Sequence, residues 1–336
     1  MLQSYWYIAC RAKDLSRTLV AITVLGKAIV LFRDGEGSPK ALEDRCAHRN
    51  APLSLGTLRN GVLQCAYHGW CYNAEGAVVD IPAQPADDIC PSFNIATYPC
   101  VEQDGYIWIC PSTTPAHDLP FLFPYLGQPG WNGFHMKTRF NATVESCLEN
   151  FLDCPHASFV HRGWFRTPTA KQVRAIVRTL PDGVEAEYFE EPRARSLVWW
   201  LLSPKKTQMR HTDRFIAPAS SRVDYIFSNG AHFVISSACT PINDTETEVY
   251  TVITYHSPLW GKFLQLFFEP LSRLIIRQDV RMLGHQQANI HRFGEMAFHS
   301  TAQDLLGGYI VAWRQAIKNK TPLPPAGAEQ HVEMRL

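Results

Sequence analysis

Two rhythms of apolar and polar residues divide this chain. Over the first 110 residues, short β-branched and aromatic runs alternate with polar turns, and residues 6–10, 19–25 and 28–32 each read as a strand. Asp34-Gly35 and Asp104-Gly105 are turn dipeptides, and the second, between residues 98–101 and 106–110, predicts a hairpin. No stretch in this part has a helical period of useful length. Pro111, Pro115, Pro120, Pro124 and Pro129 then exclude regular helix or central strand. A boundary there gives domains of residues 1–115 and 116–336.

The second part is mixed. Residues 141–160 predict a largely helical segment, bent or interrupted by Pro155. Strand-like alternation returns over 171–255: VRAIVRTL, a Pro-Asp-Gly turn, VEAEYFEE, then SLVWWLL, VDYIFS, HFVISSACT and EVYTVITYH. Strands joined by short turns predict an antiparallel sheet. Residues 260–291 read as a long helix kinked by Pro270, residues 302–318 as a shorter amphipathic helix, and residues 322–325 open a tail. The expected fold class is α+β, an all-β N-terminal domain followed by an antiparallel sheet flanked by helices.

The longest apolar segment, residues 259–276, is interrupted by Lys262, Glu269, Pro270 and Arg273. A spanning helix needs roughly 20 mainly apolar residues, so a buried helix is expected and no membrane contact. The N-terminus lacks a basic region followed by a long apolar run, which argues against a signal peptide. Composition narrows the class further. With 46% apolar and 19% charged residues, the chain is not disordered. Lys+Arg 32 against Asp+Glu 31 argues against a general nucleic-acid binder. Ten cysteines are too sparse for a small disulfide scaffold. With thirteen histidines beside them, the question becomes which of these residues bind metal.

The strongest chemical signal is CAHRNAPLSLGTLRNGVLQCAYHGW. It gives Cys46-x-His48, sixteen residues, then Cys65-x-x-His68. Each half offers one thiolate and one imidazole from a single loop, and two such loops make a four-donor site suited to zinc or to iron–sulfur. Zinc sites usually pair Cys close to Cys and His close to His, and neither pairing occurs. In a Rieske centre both cysteines hold one iron and both histidines the other, a division that one Cys and one His per loop fits. Gly69 and Trp70 would let the backbone turn tightly and cover a cluster. The segment resembles the Rieske motif, including Arg49 after His48 and Pro52-Leu53, and the hairpin at 98–110 matches the strand pair that follows the cluster in such domains. Cys71 has no paired ligand beside it. Cys10, Cys90, Cys100, Cys110, Cys147 and Cys239 are expected to pack as small apolar residues.

A second signal is ESCLENFLDCPHASFVH, which carries Asn150, Asp153, His156 and His161. On a helix, residues three or four apart share a face, so Asn150, Asp153 and His156 would line one side. His161 would fold back past Pro155 towards the same point. Two neutral imidazoles plus a carboxylate from elsewhere make the facial triad of non-haem Fe(II), with coordination positions left open. The favoured carboxylate is Asp279, in IIRQDVRMLGHQQ on the long late helix, with Ile275, Ile276, Met282 and Leu283 at helical spacing around it. A carboxylate on a buried face needs a partner or a metal. Glu145, Glu149 and His285 are competing donors, and a surface pair with Arg277 or Arg281 is the plain alternative for Asp279. Asn150 either sits close to the metal or hydrogen-bonds its own helix.

Both segments in this order, with the late carboxylate helix, resemble the catalytic α subunit of Rieske non-haem iron aromatic-ring-hydroxylating oxygenases. The Asn-x-x-Asp-x-x-His-x4-His spacing is closer to the homotrimeric branch, which includes dicamba monooxygenase, vanillate O-demethylase and the saxitoxin-pathway hydroxylases. Naphthalene-type dioxygenases have one more residue between Asn and Asp. The resemblance implies an N-terminal Rieske domain whose Cys46, His48, Cys65 and His68 hold a [2Fe-2S] cluster. It implies that His156, His161 and Asp279 bind a mononuclear Fe(II). Asp153 would bridge a cluster histidine and an iron-ligating histidine of different subunits in a homotrimer.

The implied enzyme is a cytoplasmic terminal oxygenase that uses O2. No FAD, NAD or plant-type ferredoxin motif is present, so a separate NAD(P)H-dependent reductase and/or ferredoxin would supply electrons. The small-molecule substrate is expected to be largely apolar, aromatic or polycyclic, and to be hydroxylated or O-/N-demethylated. A cis-dihydroxylating dioxygenase is the alternative product class. A Rieske electron carrier or a zinc-stabilised binding protein are the alternatives of another class. An electron carrier would leave the second histidine segment without a purpose. Trp199, Trp200, Phe215, Tyr225, Phe227, Phe233 and Tyr255 are candidates for a substrate pocket, most of them expected to be ordinary core.

Overall fold

The computed structural model describes residues 2–16, 18–85, 92–162, 172–189, 202, 208–258 and 261–335. It divides into two compact units, Gln3–Leu122 and Phe123–Leu336. The division falls within the stretch of five prolines.

The first unit is built from β1 (Tyr7–Arg11), β2 (Val20–Val24), β3 (Lys27–Arg33), β4 (Pro39–Glu43), β5 (Thr57–Arg59), β6 (Val62–Gln64), β7 (Cys71–Tyr72), β8 (Val78–Asp80), β9 (Thr97–Tyr98), β10 (Cys100–Gln103) and β11 (Tyr106–Ile109). They form three antiparallel sheets, ordered β1-β11-β10, β2-β3-β4-β9 and β5-β6-β7-β8. Three hairpins use the same device. Leu25-Gly26, Asn60-Gly61 and Asp104-Gly105 each place two successive residues at positive φ, between 51° and 77°. That is the turn whose twist matches the strands it joins. Val30, Phe32, Leu42, Leu63, Tyr72 and Ile95 form a core around Cys46 and Cys65.

The second unit contains β12 (Asn132–Phe140), α1 (Val144–Leu152), β13 (Gln172–Leu180), β14 (Gly183–Phe189), β15 (Met209–Ile216), β16 (Ser220–Phe227), β17 (His232–Pro241), β18 (Thr247–His256), α2 (Gln265–Phe293), α3 (Gly307–Asn319) and β19 (Glu329–Arg335). Eight strands make one antiparallel sheet in the order β12-β18-β17-β16-β15-β14-β13-β19. α1 lies against β15, β16, β17 and α3, while α2 lies against β12. Phe268 of α2 stands edge-on to Phe233 and Tyr255, with ring centroids 5.1 and 5.5 Å away. The α+β class and the β-rich first unit agree with the sequence reading.

The segment 141–160 is interrupted at Pro155 rather than bent, one of the two outcomes its sequence allows. Thr143 caps α1 by accepting the Ser146 N–H at 3.1 Å, α1 ends at Leu152, and Asp153 is extended. Pro155 is the cause: its ring would collide with the carbonyl of Phe151 and it has no N–H to give. A short 3-10 turn, Pro155–Ser158, follows. Strands β12, β15 and β19 were not anticipated. The expected tail ends in β19, which pairs with β13 and buries only Val332 and Met334 of its seven residues. α3 starts at Gly307, later than expected. The strand read at SLVWWLL lies outside the described residues except for Leu202. No described helix is long and apolar enough to cross a membrane.

Candidate metal centres and their cavity

In the first unit, Cys46 and Cys65 open two loops closed in the same way. Cys46 donates its N–H to Ala51 O and accepts from Asn50 N–H, both at 2.9 Å. Cys65 donates to Trp70 O at 2.9 Å and accepts from Gly69 N–H at 3.1 Å. Asn50 and Gly69 hold equivalent positions at φ 59° and 76°. The tight turn expected at Gly69 is present, and Asn50, which sequence reasoning passed over, is its counterpart. Asn tolerates that conformation better than other non-glycine residues.

The loops bury both cysteines, leave His48 half-buried and expose His68. The two imidazoles stand edge to face with centroids 4.5 Å apart, and Trp70 stacks on His48 at 4.8 Å. His48 Nδ1 is buried without a hydrogen-bond partner, which is the signature of a ring nitrogen meant for a metal. Tyr72, missed by sequence reasoning, places its hydroxyl 3.1 Å from Cys46 Sγ and accepts the Ala47 N–H at 3.0 Å. Burial pushes the Cys65 thiol up, so a metal would have to displace its proton.

A single tetrahedral zinc would need its donors within about 4 Å of one another, given bonds of about 2.0–2.3 Å. Among the described residues, only His156, His161 and Asp279 bring three potential donors within 4.8 Å. Cys46, His48, Cys65 and His68 do not converge on one point. A dinuclear cluster, with inner cysteines and outer histidines, fits them better.

The second unit brings His156, His161 and Asp279 together. His161 and Asp279 are buried, and His156 keeps 19% of its side chain exposed. His156 Nδ1–H donates to the Asp153 carbonyl, and His161 Nδ1–H donates to Gln278 Oε1 at 2.8 Å. Those acceptors can only accept, so both Nε2 atoms carry lone pairs. The two Nε2 atoms lie 3.3 Å apart, at 3.7 and 3.0 Å from Asp279 Oδ1. Asp279 Oδ1 is buried and makes no hydrogen bond. Three acceptors facing one another repel unless a cation lies between them, so the set fits a metal. Burial opposes a charge on the His156 ring, but the Asp153 and Asp279 carboxylates outweigh it and hold its pKa above the ordinary value.

Asn150, Asp153 and His156 do not share one helical face as expected, because α1 ends between them. Asn150 stays on its last turn with Oδ1 buried and unpartnered. The Asp153 carboxylate accepts the His156 backbone N–H at 3.2 Å. On α2, Ile275, Asp279 and Leu283 form the buried stripe, whereas Met282 is 49% exposed. The competing donors are elsewhere: Glu145 pairs with Arg314 at 2.6 Å, and Glu149 and His285 line a neighbouring cavity. Burial, then the Asp153 and Asp304 carboxylates, hold Glu149 above the usual carboxylate range. Gln278, which orients His161, was not recognised as functional; its place beside Asp279 is the only signal the sequence offers.

The triad closes one side of a cavity of about 130 Å³, close to the size that holds one benzene ring. The sheet forms the other side, and its cross-strand registers band the surface. One row is polar, with Ser221, Ser237 and Thr251 opposite one another. The next sets Val223, Ile235 and Ile253 beside Asp213. The third sets His211 between Tyr188 and Tyr225. Of the aromatic pocket candidates, Tyr225 lines this cavity. Phe215, Phe227, Phe233 and Tyr255 are buried outside it. Trp199 and Trp200 lie outside the described residues.

Comparison with known proteins agrees with both centres. Residues 5–99 match the model of the Rieske [2Fe-2S] domain, and residues 140–320 match that of the vanillate O-demethylase oxygenase C-terminal domain. The oxygenase component of dicamba O-demethylase from Stenotrophomonas maltophilia is 35% identical over 168 residues, 48% of each chain. The toluene-4-sulfonate monooxygenase iron-sulfur subunit from Comamonas testosteroni is 31% identical over 180 residues, 52% of this chain and 51% of that one. Chlorophyllide a oxygenase of Arabidopsis thaliana is 27% identical over 345 residues, 97% of this chain and 60% of that one. The alignments thus span about half of these relatives' lengths. Among solved structures, dicamba monooxygenase bound to dicamba gives a TM-score of 0.79 at 20% identity, covering 95% of this chain and 98% of that one. Pseudomonas putida NdmA with caffeine gives 0.77 at 23%, covering 95% and 91%. These two likenesses establish the fold.

Proposed function

The chain belongs to the vanillate O-demethylase oxygenase family of Rieske-domain non-haem iron oxygenases, and on that footing we propose that it is the terminal oxygenase of a multi-protein system. It takes electrons from a separate NAD(P)H-dependent reductase and/or ferredoxin, uses O2, and hydroxylates or O-/N-demethylates a largely apolar aromatic small molecule. The observation that carries this reading is the convergence of His156 Nε2, His161 Nε2 and Asp279 Oδ1 in the wall of a mostly apolar cavity. An electron carrier has no use for such a site.

In this reading, residues 1–115 are the Rieske domain and residues 116–336 the catalytic domain. Cys46, His48, Cys65 and His68 hold a [2Fe-2S] cluster, and His156, His161 and Asp279 hold one Fe(II). When bound, these groups supply electron transfer and the reductive activation of dioxygen. The chain's own residues do the rest. Gln278 and the Asp153 carbonyl fix the two imidazole tautomers, as outer partners of metal-bound histidines usually do. The aliphatic row excludes water and seats an apolar ring. Asn150 lies beside the site with a polar atom to offer. The Asp153 carboxylate, bonded to the backbone of one iron-side histidine, acts as the bridging acid towards a cluster histidine of a neighbouring copy in a head-to-tail homotrimer. The assembly is cytoplasmic and binds neither nucleic acid nor membrane.

Metal analysis tests the core of this. Purified protein should hold about three irons and about two acid-labile sulfides per chain, a Rieske cluster plus one mononuclear iron. A zinc-only result would overturn it. Reductase-driven oxygen uptake across an aromatic panel then separates hydroxylation or demethylation from cis-dihydroxylation by product analysis.

A further inference from the structure

His211 and Asp213 stand two residues apart on β15 and face the same cavity as the metal triad. Neither is needed to hold a metal. Both are buried, at 1% and 3% exposure. His211 is clamped between the rings of Tyr188 and Tyr225, stacked at 4.6 and 4.4 Å with interplanar angles of 14°. That clamp fixes the imidazole plane and aims Nε2–H at Asp213 Oδ1, 2.9 Å away. A carboxylate can accept several hydrogen bonds, and this one has a second oxygen. Among the described residues, His211 is the only side chain that bonds Asp213. A buried carboxylate is costly to maintain with one partner.

The charges around the cavity point the same way. Its described lining carries three carboxylates, Asp153, Asp213 and Asp279, and three histidines, but no lysine or arginine. Asp279 belongs to the metal triad, and Asp153 is bonded to the His156 backbone. Asp213 is left at the end of the aliphatic row, opposite Val223 and in line with Ile235 and Ile253. An aromatic ring lying over that row would bring a substituent to the carboxylate. Carboxylate and sulfonate substituents would meet Asp213 with like charge and no guanidinium to answer them.

We propose that Asp213, held in place by His211, anchors the substrate by accepting a hydrogen bond from it, so that the enzyme selects an uncharged or cationic aromatic molecule bearing an N–H or O–H donor and rejects aromatic acids. Asp213 is the specificity-determining residue and His211 its positioning residue. This deepens the oxygenase reading and rests on it.

The test uses the holoprotein, with iron and sulfide contents measured first. Equilibrium dialysis then ranks matched one- and two-ring compounds. Theobromine is paired with caffeine, aniline with N,N-dimethylaniline, and toluidine with toluene-4-sulfonate. Donor-bearing members should bind about tenfold or more tighter than their methylated or acidic partners, as a hydrogen bond to a charged group implies. Asp213→Asn should erase that preference while metal content stays normal. His211→Phe, which keeps the stacked ring, should weaken it without affecting the methylated compounds. The wild-type ranking stands alone if either variant fails to fold. Tighter binding of an acid, equal binding across pairs, no donor-bearing compound held, or a preference unchanged in Asp213→Asn would each overturn the proposal. Protein lacking iron and sulfide would instead overturn the oxygenase reading.

Discussion

One hydroxyl should set a measurable part of the cluster's reduction potential. Tyr72 is fully buried, its oxygen accepts the Ala47 N–H, and its hydroxyl lies 3.1 Å from Cys46 Sγ, to which it would donate once that sulfur is a thiolate ligand. Reduction adds negative charge to the cluster, and a donor to a ligating sulfur stabilises the reduced form more than the oxidised one. A hydrogen bond to a charged acceptor contributes about 1.5–3 kcal/mol. If a third to a half of that is the difference between redox states, it is about 0.5–1.5 kcal/mol. At about 59 mV for each tenfold change in a one-electron couple, Tyr72→Phe should lower the potential by roughly 20–65 mV. Phenylalanine keeps the ring among Val30, Phe32 and Leu63, so the core stays filled. The Ala47 N–H loses its acceptor, which should cost about 1–2 kcal/mol of stability. The assay is a redox titration followed by electron paramagnetic resonance of the reduced cluster. Tyr67→Phe is the control, because Tyr67 is 67% exposed and its ring contact with His68 survives the change. An unchanged or higher potential in Tyr72→Phe, with the cluster intact, would refute the reasoning.

Asp279→Asn should lose the mononuclear iron and keep the cluster, read as a fall of about one iron per chain with acid-labile sulfide unchanged. Gln278→Leu removes the acceptor that orients His161 and should weaken iron binding by about 10- to 100-fold in competition with a chelator. Asp153→Asn should retain both metals, with the cluster still reducible by the reductase, yet lose coupled product formation; near-normal turnover would sink the bridging role. Glu145→Gln strips the buried Arg314 of its carboxylate partner, 2.6 Å away. The cost should be about 1–3 kcal/mol by urea denaturation, less than for a fully buried pair because Glu145 is 38% exposed. Burial opposes the Glu145 charge but Arg314 outweighs it, so its folded pKa lies below the ordinary carboxylate value. Its stabilisation is therefore complete above that ordinary value and is lost as pH falls through the folded one. The acid limb of the stability profile should be shallower in Glu145→Gln.

The four donors of the first motif, and His156 with His161 in the second, were legible because they are close in sequence and chemically distinctive, whereas the distant Asp279 was reached through the apolar residues around it. Cys46, His48, Cys65 and His68 sit on two turns, and a turn carries its spacing with it wherever the chain goes. The hairpin at Asp104-Gly105 was readable for the same reason. The equivalent turn at Leu25-Gly26 was not, since leucine at positive φ has no local signature. Strand β19 escaped notice because only Val332 and Met334 of its residues are buried, and an edge strand needs little apolar pattern when its neighbour β13 supplies the register. Tyr72 and Gln278 escaped for another reason. Each acts through a hydrogen bond to a ligand, and composition marks ligands more strongly than their partners.

The second motif shows how a right spacing can rest on a wrong geometry. Asn150, Asp153 and His156 recur every three residues, which reads as a helical face. A helix running on through Pro155 would have kept the Asp153 N–H and carbonyl inside its own ladder. Because α1 stops at Leu152, the Asp153 carbonyl is free to accept from His156 Nδ1, and the Asp153 carboxylate to accept from the His156 N–H. The break thus creates the contact that fixes the tautomer of His156. Pro155 is therefore part of the metal centre's construction although it touches no metal. The same cannot be said of Asp213, whose neighbours in sequence, Thr212 and Arg214, face the other side of the sheet. Its setting is made by β14 and β16, which place Ala186 and Val223 beside it. A site assembled across strands leaves no local spacing to read, and that is why Asp213 was not singled out in the sequence.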